Sequence, residues 1–422
     1  MPDEFSALVA RLRCPLNGAA LAIERAPSWP RDAALLTGGR QPYPMLLGIP
    51  RLLDDALRRP LVALLRAGRP GDAARLALQW PTRAPGSRLR RRLTVELARR
   101  LPGATVARGL AGLSDARRVQ RPHGSFAALV AATTPPDLAG WLLHRFAARP
   151  FLPLVALAAR LVRPGVDVLE VGGGVGHSSF VLARHAGAAR VVCMDNVFAH
   201  LHAARRFNAP GTMQVCADAE GTLPFADGAF GCVAMTDSFH FVRDQERLAA
   251  EVCRVLATEG QVVLAHVHNG LHPDPHCDAA RAPDAYASFF ATLSPVLLRN
   301  DRLLAQLDAD GRVDLTAPAL GEAVEEAASL SLVARRDRPL PGVPAGAEGD
   351  VWHAVWARRT RLIANPLLGV AAPTSHLAEI LVSPEPEDGD PPRAAMAGMM
   401  DPALASALLR RRMLLDVPDR FV

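Results

Sequence analysis

An α/β fold built on a doubly wound, mostly parallel sheet is the class this chain predicts, and three observations carry it. The run Val168-Leu169-Glu170-Val171-Gly172-Gly173-Gly174-Val175-Gly176-His177 reads as a buried strand, a glycine turn and the start of a helix. Downstream of it, short apolar segments recur, several ending in an acid or a histidine. Helix-length stretches separate them, a spacing suited to parallel crossovers with ligands bound at the carboxyl ends of the strands.

The first strand is expected over residues 166–169, apolar enough to be central and buried on both faces. Its glycines let the backbone approach a ligand, and the free amides of a helix over 177–186 favour a negative group. A dinucleotide fingerprint counted from Gly172 would need a third glycine at position 177, which is His, so that register fails. The second strand, 190–194, runs into Asp195-Asn196, where a carboxylate can take both hydroxyls of a ribose. A third, 212–217, ends at Asp218-Ala219, and a fourth, 231–236, runs into Asp237-Ser238-Phe239-His240. A helix over 244–256 leads to a fifth strand at 261–266. Segments 329–335 and 351–357 suit a closing antiparallel pair, with about fifty residues inserted before the first of them.

The spacing Glu170-x-Gly172-x-Gly174-x-Gly176 and the acids after it resemble the ubiquinone-biosynthesis-type (methyltransferase-11-like) branch of class I S-adenosylmethionine (SAM) methyltransferases, over about residues 156–360. The resemblance implies SAM as cofactor. It assigns Glu170, Gly172, Gly174 and Gly176 to the methionine part, Asp195 to the ribose, and Asp218 with Ala219 to the adenine, with Asn196 as a further cofactor contact. It also implies a methyl acceptor near the fourth and fifth strands. His240 is a candidate general base there, since imidazole has the right proton affinity near neutral pH. His268, Asn269 and, in the following insertion, Tyr286 are candidate acceptor contacts. The stretch from His266 to Asp278 is dense in ligand residue types, but two prolines mark it as a loop, and no metal ligands are assigned.

Ahead of this domain, Leu12-Arg13-Cys14-Pro15-Leu16-Asn17-Gly18 and the segment from Tyr43 to Leu53 resemble the small activator subunit of tRNA, rRNA and release-factor methyltransferases, over residues 1–55. The resemblance implies a small α+β module covering apolar surface and a sheet edge of the catalytic domain. Asn17 stands where zinc-binding members have a second cysteine, so zinc is not expected. Residues 56–155, rich in Ala, Leu and Arg and broken by Pro-Gly pairs, are expected to form a helical cap whose His123, Trp141, His144 and Arg145 are candidate lining residues. In the C-terminal extension, 361–422, a mobile proline-rich acidic linker at 383–392 should precede a helix from Asp401-Pro402 to about Leu414, docked on the body or on a second copy in a homodimer.

Composition restricts function. All 48 basic residues are arginine, and the net charge of +6 looks like genomic bias rather than a polynucleotide surface, because the arginines at 88–100 are not interleaved with aromatics. The six cysteines include no C-x-x-C pair, which points to a reducing cytoplasm. No uncharged apolar run approaches about 18 residues, so no spanning helix is expected. The reading that results is methyl transfer to a small molecule, with nucleic acid unlikely as a partner. A tRNA, rRNA or protein methyltransferase and a non-catalytic SAM-binding protein are the alternatives, the first weakened by the lack of an Asn/Asp-Pro-Pro-Tyr/Phe motif at 237–240.

Overall fold

The computed structural model describes residues 4–39, 42–79, 124–272, 274, 277–369, 381–382, 384–396, 398 and 401–421. The arginine-rich stretch at 88–100 and His123 lie outside the described residues. Four antiparallel strands, β1 (Ala22–Glu24), β2 (Ala34–Thr37), β3 (Tyr43–Leu46) and β4 (Ile49–Pro50), form an N-terminal sheet in sequential order beside the helix Glu4–Arg11. The central sheet holds β5 (Val168–Val171), β6 (Val191–Asp195), β7 (Met213–Cys216), β8 (Phe230–Thr236), β9 (Leu256–His268), β10 (Pro295–Arg299) and β11 (Ser329–Arg335). Their order is β10-β11-β9-β8-β5-β6-β7, parallel from β9 to β7 and antiparallel at β11 and β10. β5 is therefore central, as its four buried residues require, and the chain reverses direction across the sheet between β5 and β8.

The closing pair differs from expectation. Residues Val351–Ala357 form a helix, with Asp350 accepting from the Trp352 amide as its N-cap and Val351, Trp352 and Val355 buried. An apolar run this short does not distinguish strand from helix by periodicity, and packing against the helix Pro402–Arg410 decides it. The edge strand is instead β10, inside what reads as an insertion, so β11 is the seventh strand of the sheet in chain order.

The N-terminal module extends the far edge. Leu52 donates its amide to Cys216 O (2.7 Å) on β7, and Arg13 donates to Pro224 O (2.9 Å). Leu12, Leu36, Tyr43 and Met45 share one continuous core with Leu169 and Val192 of the central sheet and with Phe225 of the loop between β7 and β8. Edge strands are liabilities when left bare, and β7 is covered in cis. The first two helices of the predicted cap, Arg58–Arg66 and Pro70–Gln79, pack with this module against Phe198, Leu201 and Cys216. The later two, Phe126–Thr133 and Pro136–His144, do approach the cofactor end, where Phe126 meets the His177 ring.

The C-terminal extension docks on its own chain. β13 (Leu414–Val417) pairs with β12 (Arg361–Ala364), so Leu414 lies in a strand and the preceding helix stops at Arg410. Buried Asp416 pairs with Arg184 and accepts the Thr360 and Arg361 amides. Phe421 packs on Phe126, Phe146 and His177. Where it is described, the acidic linker is tied to the C-terminal helix: Arg411 grips Asp390 through both guanidinium arms, at 2.6 and 2.9 Å. Among the described residues no helix is long and apolar enough to cross a membrane, and none of the six cysteines is paired.

Candidate active site

Three glycines of the β5 turn hold left-handed backbone, Gly172 at φ +78°, Gly174 at +52° and Gly176 at +88°. Their surroundings differ. A Cβ on Gly172 would stand 2.6 Å from Ser238 Cβ, and one on Gly176 would stand 2.7 Å from Ala204 Cβ, so both glycines are closed in by neighbouring chain. A Cβ on Gly174 would meet nothing within 4 Å among the described residues. The backbone is thus exposed to open space at Gly174, beside the carboxyl ends of β5 and β6, and this space suits a group that must touch the chain closely.

Asp195 ends β6 and shapes that space. Its Oδ2 accepts the Gly174 amide at 2.9 Å and its Oδ1 accepts the Val197 amide at 2.8 Å, which fixes the carboxylate's orientation while lone pairs remain for a ligand. Asn196, beside it, is exposed, and Asp218 and Ala219 follow β7 on the same rim. Asp218 is exposed and accepts the Glu220 amide at 3.0 Å. Glu170 departs from its expected part. Its carboxyl is 1% exposed beneath the glycine turn, where it accepts the Ser179 hydroxyl and lies under Gly173. Burial pushes its pKa up to about 7 against the opposing hydroxyl bonds of Ser179 and Ser178. Glu170 therefore supports the turn from below instead of reaching an occupant.

On the other side of β5 stand β8 and β9. Ser238 donates to Val171 O at 3.0 Å, which ties the loop after β8 directly to the glycine turn. Asp237 precedes it, at φ +52°, and its Oδ2 accepts Arg145 Nη1 at 2.7 Å in a pair that is nearly buried. Arg145 comes from the end of the cap, stacked over Trp141 at 4.3 Å, whereas His144 one residue earlier is only half-buried. Asp237 Oδ1 faces imidazoles: His240 Nε2 at 3.5 Å and His266 Nε2 at 3.9 Å. The His240 and His268 rings lie 4.6 Å apart, and His268 Nδ1 is held by Asp274 Oδ2 at 3.0 Å.

Three expectations are corrected here. His240 is wholly buried, and that burial lowers its pKa to about 3 despite Asp237, too weak a base for the work assigned to it. Asn269 is also wholly buried, with its amide donated to Ala327 O (2.8 Å) and Glu325 O (3.1 Å) and its Oδ1 accepting the Leu271 amide. Tyr286 sits in the core, donating to His268 O at 2.9 Å and accepting the Arg281 amide at 3.0 Å. Both side chains commit their polar atoms to the backbone of the loop after β9 and its neighbours. His268 remains partly exposed. The grouping of Asp237, His240 and His268 was missed in the sequence, because it depends on β8 lying beside β9 in the sheet.

The family described as a methyltransferase domain matches residues 169–264. A malonyl-[acyl-carrier protein] O-methyltransferase of Geobacter sulfurreducens is 35% identical over 120 residues, which cover 28% of this chain and 44% of that protein. A ubiquinone/menaquinone biosynthesis C-methyltransferase of Legionella pneumophila is 30% identical over 117 residues, 26% of this chain and 47% of that protein. The chain thus spans less than half the length of these curated relatives. Among solved structures, a complex between the Haloferax volcanii Trm112 methyltransferase activator and a methyltransferase aligns at TM-score 0.36 and 18% identity, covering 52% of this chain and all of that one. A SAM-dependent methyltransferase from Mesorhizobium loti aligns at 0.35 and 18%, covering 45% and 98%. The acid-and-glycine turn, the strand order and the family match at residues 169–264 agree, so this part of the chain is similar to the class I methyltransferases, whose cofactor is S-adenosylmethionine.

Proposed function

We propose that the protein transfers a methyl group from SAM to a small-molecule acceptor bound over the carboxyl ends of β8 and β9. The observation that supports this most is the side-by-side placement of two half-sites joined by Ser238: open backbone at Gly174 with Asp195 on one side, and a cluster of imidazoles around Asp237 on the other. SAM supplies a sulfonium-activated methyl group, so the protein's part is mainly positioning and exclusion of water. The Gly174 backbone and the Asp195 carboxylate would bind the cofactor, with Asp218 and Ala219 beside its base, while buried Glu170 keeps the turn in shape. Exposed Phe241 and Leu271 lie one and three residues from His240 and His268, which suits an acceptor with an apolar body. The corresponding compartment is the cytoplasm, consistent with unpaired cysteines.

Calorimetric titration with SAM, followed by comparison of metabolite extracts incubated with protein and SAM for products heavier by one methyl group, tests the reading. Tight SAM binding with no methylated product in any extract would favour a non-catalytic binder, and label transferred to tRNA, rRNA or protein would favour the macromolecular alternative.

A further inference from the structure

We propose that Asp237, His240 and His268 bind a divalent first-row transition-metal ion whose open positions take oxygen atoms of the acceptor. One ligand atom from each of the three lies within 4.8 Å of the others. The closest measured edge, His240 Nε2 to Asp237 Oδ1, is 3.5 Å. Ligand atoms about 2.1 Å from a tetrahedral ion are roughly 3.4 Å apart, so this edge already has the required length and the others need only modest contraction.

A second observation is independent of that spacing. His240 is 0% exposed, and among the described residues neither of its ring nitrogens has a hydrogen-bond partner. A buried polar atom left unsatisfied costs about 1–3 kcal/mol, so an imidazole with two of them needs an explanation. Its Nε2 points toward Asp237 Oδ1 yet makes no hydrogen bond with it, and an ion between them would satisfy both.

The surroundings orient the ligands. Arg145 occupies Oδ2 of Asp237 and leaves Oδ1 turned to the imidazoles. Asp274 holds Nδ1 of His268, leaving Nε2 to ligate in a carboxylate–histidine–metal arrangement. His266 Nε2, 3.9 Å from the same Oδ1, lines the site. Two imidazoles and one carboxylate favour ions such as zinc, cobalt, nickel or iron over magnesium or calcium, which prefer all-oxygen shells. Three protein ligands leave at least one position open, and Ser238, two residues from His240, touches the glycine turn proposed to hold SAM, which puts the cluster beside the methyl-donor site of that reading. A hydroxyl or carboxylate oxygen of the acceptor is the ligand that position fits. What the ion does for the acceptor rests on the proposed methyl transfer, whereas its binding does not.

The test uses the full chain, purified without a histidine tag and stripped with a chelator. Cobalt(II) titration by calorimetry and visible absorption is expected to show one ion per chain with the intense bands of a low-coordinate site. His240→Ala, Asp237→Asn and His268→Gln should each weaken cobalt at least tenfold, with SAM titrated in parallel. His268→Gln changes a partly exposed ring and serves as the variant that keeps the fold, checked by its melting curve. Absence of a one-to-one cobalt complex in the wild type, or wild-type affinity in folded His268→Gln, would overturn the proposal. Cobalt binding without SAM binding would leave the metal site standing and refute the methyltransfer reading, and the reverse result would do the opposite.

Discussion

Replacing Gly174 by alanine separates cofactor binding from stability, because among the described residues nothing crowds this glycine of the turn, whereas Gly172, Gly173 and Gly176 are closed in. At φ +52° a non-glycine residue pays about 1–2 kcal/mol for left-handed backbone. No steric cost is added by the described residues, since none of them lies within 4 Å of that Cβ. At about 2–4 °C per kcal/mol for a domain of this kind, the melting temperature should fall by roughly 2–8 °C. The new methyl group, however, enters the space assigned to SAM, and displacing one close backbone contact should weaken binding at least about tenfold, near 1.4 kcal/mol. Gly176→Ala is the comparator. It has the same backbone cost at φ +88° and adds a Cβ 2.7 Å from Ala204 Cβ and 3.1 Å from Ala204 Cα, an overpacking of about 1–3 kcal/mol more. Calorimetric SAM titration together with thermal unfolding reads both effects. Gly174→Ala with wild-type SAM affinity would refute the assignment of that space, and equal melting temperatures for the two variants would refute the distinction between open and closed glycines.

Asp195→Ala removes the acceptor of the Gly174 and Val197 amides as well as the proposed ribose ligand, charge-assisted bonds of about 1.5–3 kcal/mol each that do not add fully. SAM should bind at least tenfold more weakly by calorimetry, and unchanged affinity would remove Asp195 from the site. Glu170 has its folded pKa raised from 4.5 to about 7, so the folded protein holds a proton that the unfolded chain has lost between those values. Its contribution to stability is fully present below about pH 4.5 and is lost as pH rises through 7, a swing of order 3 kcal/mol. Urea unfolding across that window should show a flatter pH dependence in Glu170→Gln than in the wild type, and parallel curves would show that the carboxyl is not buried as described. Deleting residues 1–55 bares the β7 edge and the apolar surface under Leu12, Leu36, Tyr43 and Met45, and fragment 56–422 should aggregate on size-exclusion chromatography. A monodisperse fragment with unaltered melting temperature would show the module to be an independent body.

What was legible in the residues was local. Glycines at 172, 174 and 176 need left-handed backbone, and apolar runs ending in Glu170, Asp195 and Asp237 read as parallel strands because such strands are buried on both faces and open their carboxyl ends to ligands. Asp244 and Asp401 mark helix starts by accepting amides of the first turn, a contact that spans only three residues. Decisions that rest on distant partners were not legible. Whether 351–357 is strand or helix turned on a neighbour fifty residues later, and the short edge strand at 295–299 exists only because β11 offers it a hydrogen-bonding edge. His240 reads as a base until the packing that buries it is known, because proton affinity follows solvation and not residue type. Arg145 meets Asp237 across 92 positions, and Asp237 and His240 meet His268 because β8 lies beside β9. Sheet order is a global solution to burying every apolar face at once, so the chemistry assembled at its carboxyl edge belongs to the tertiary structure.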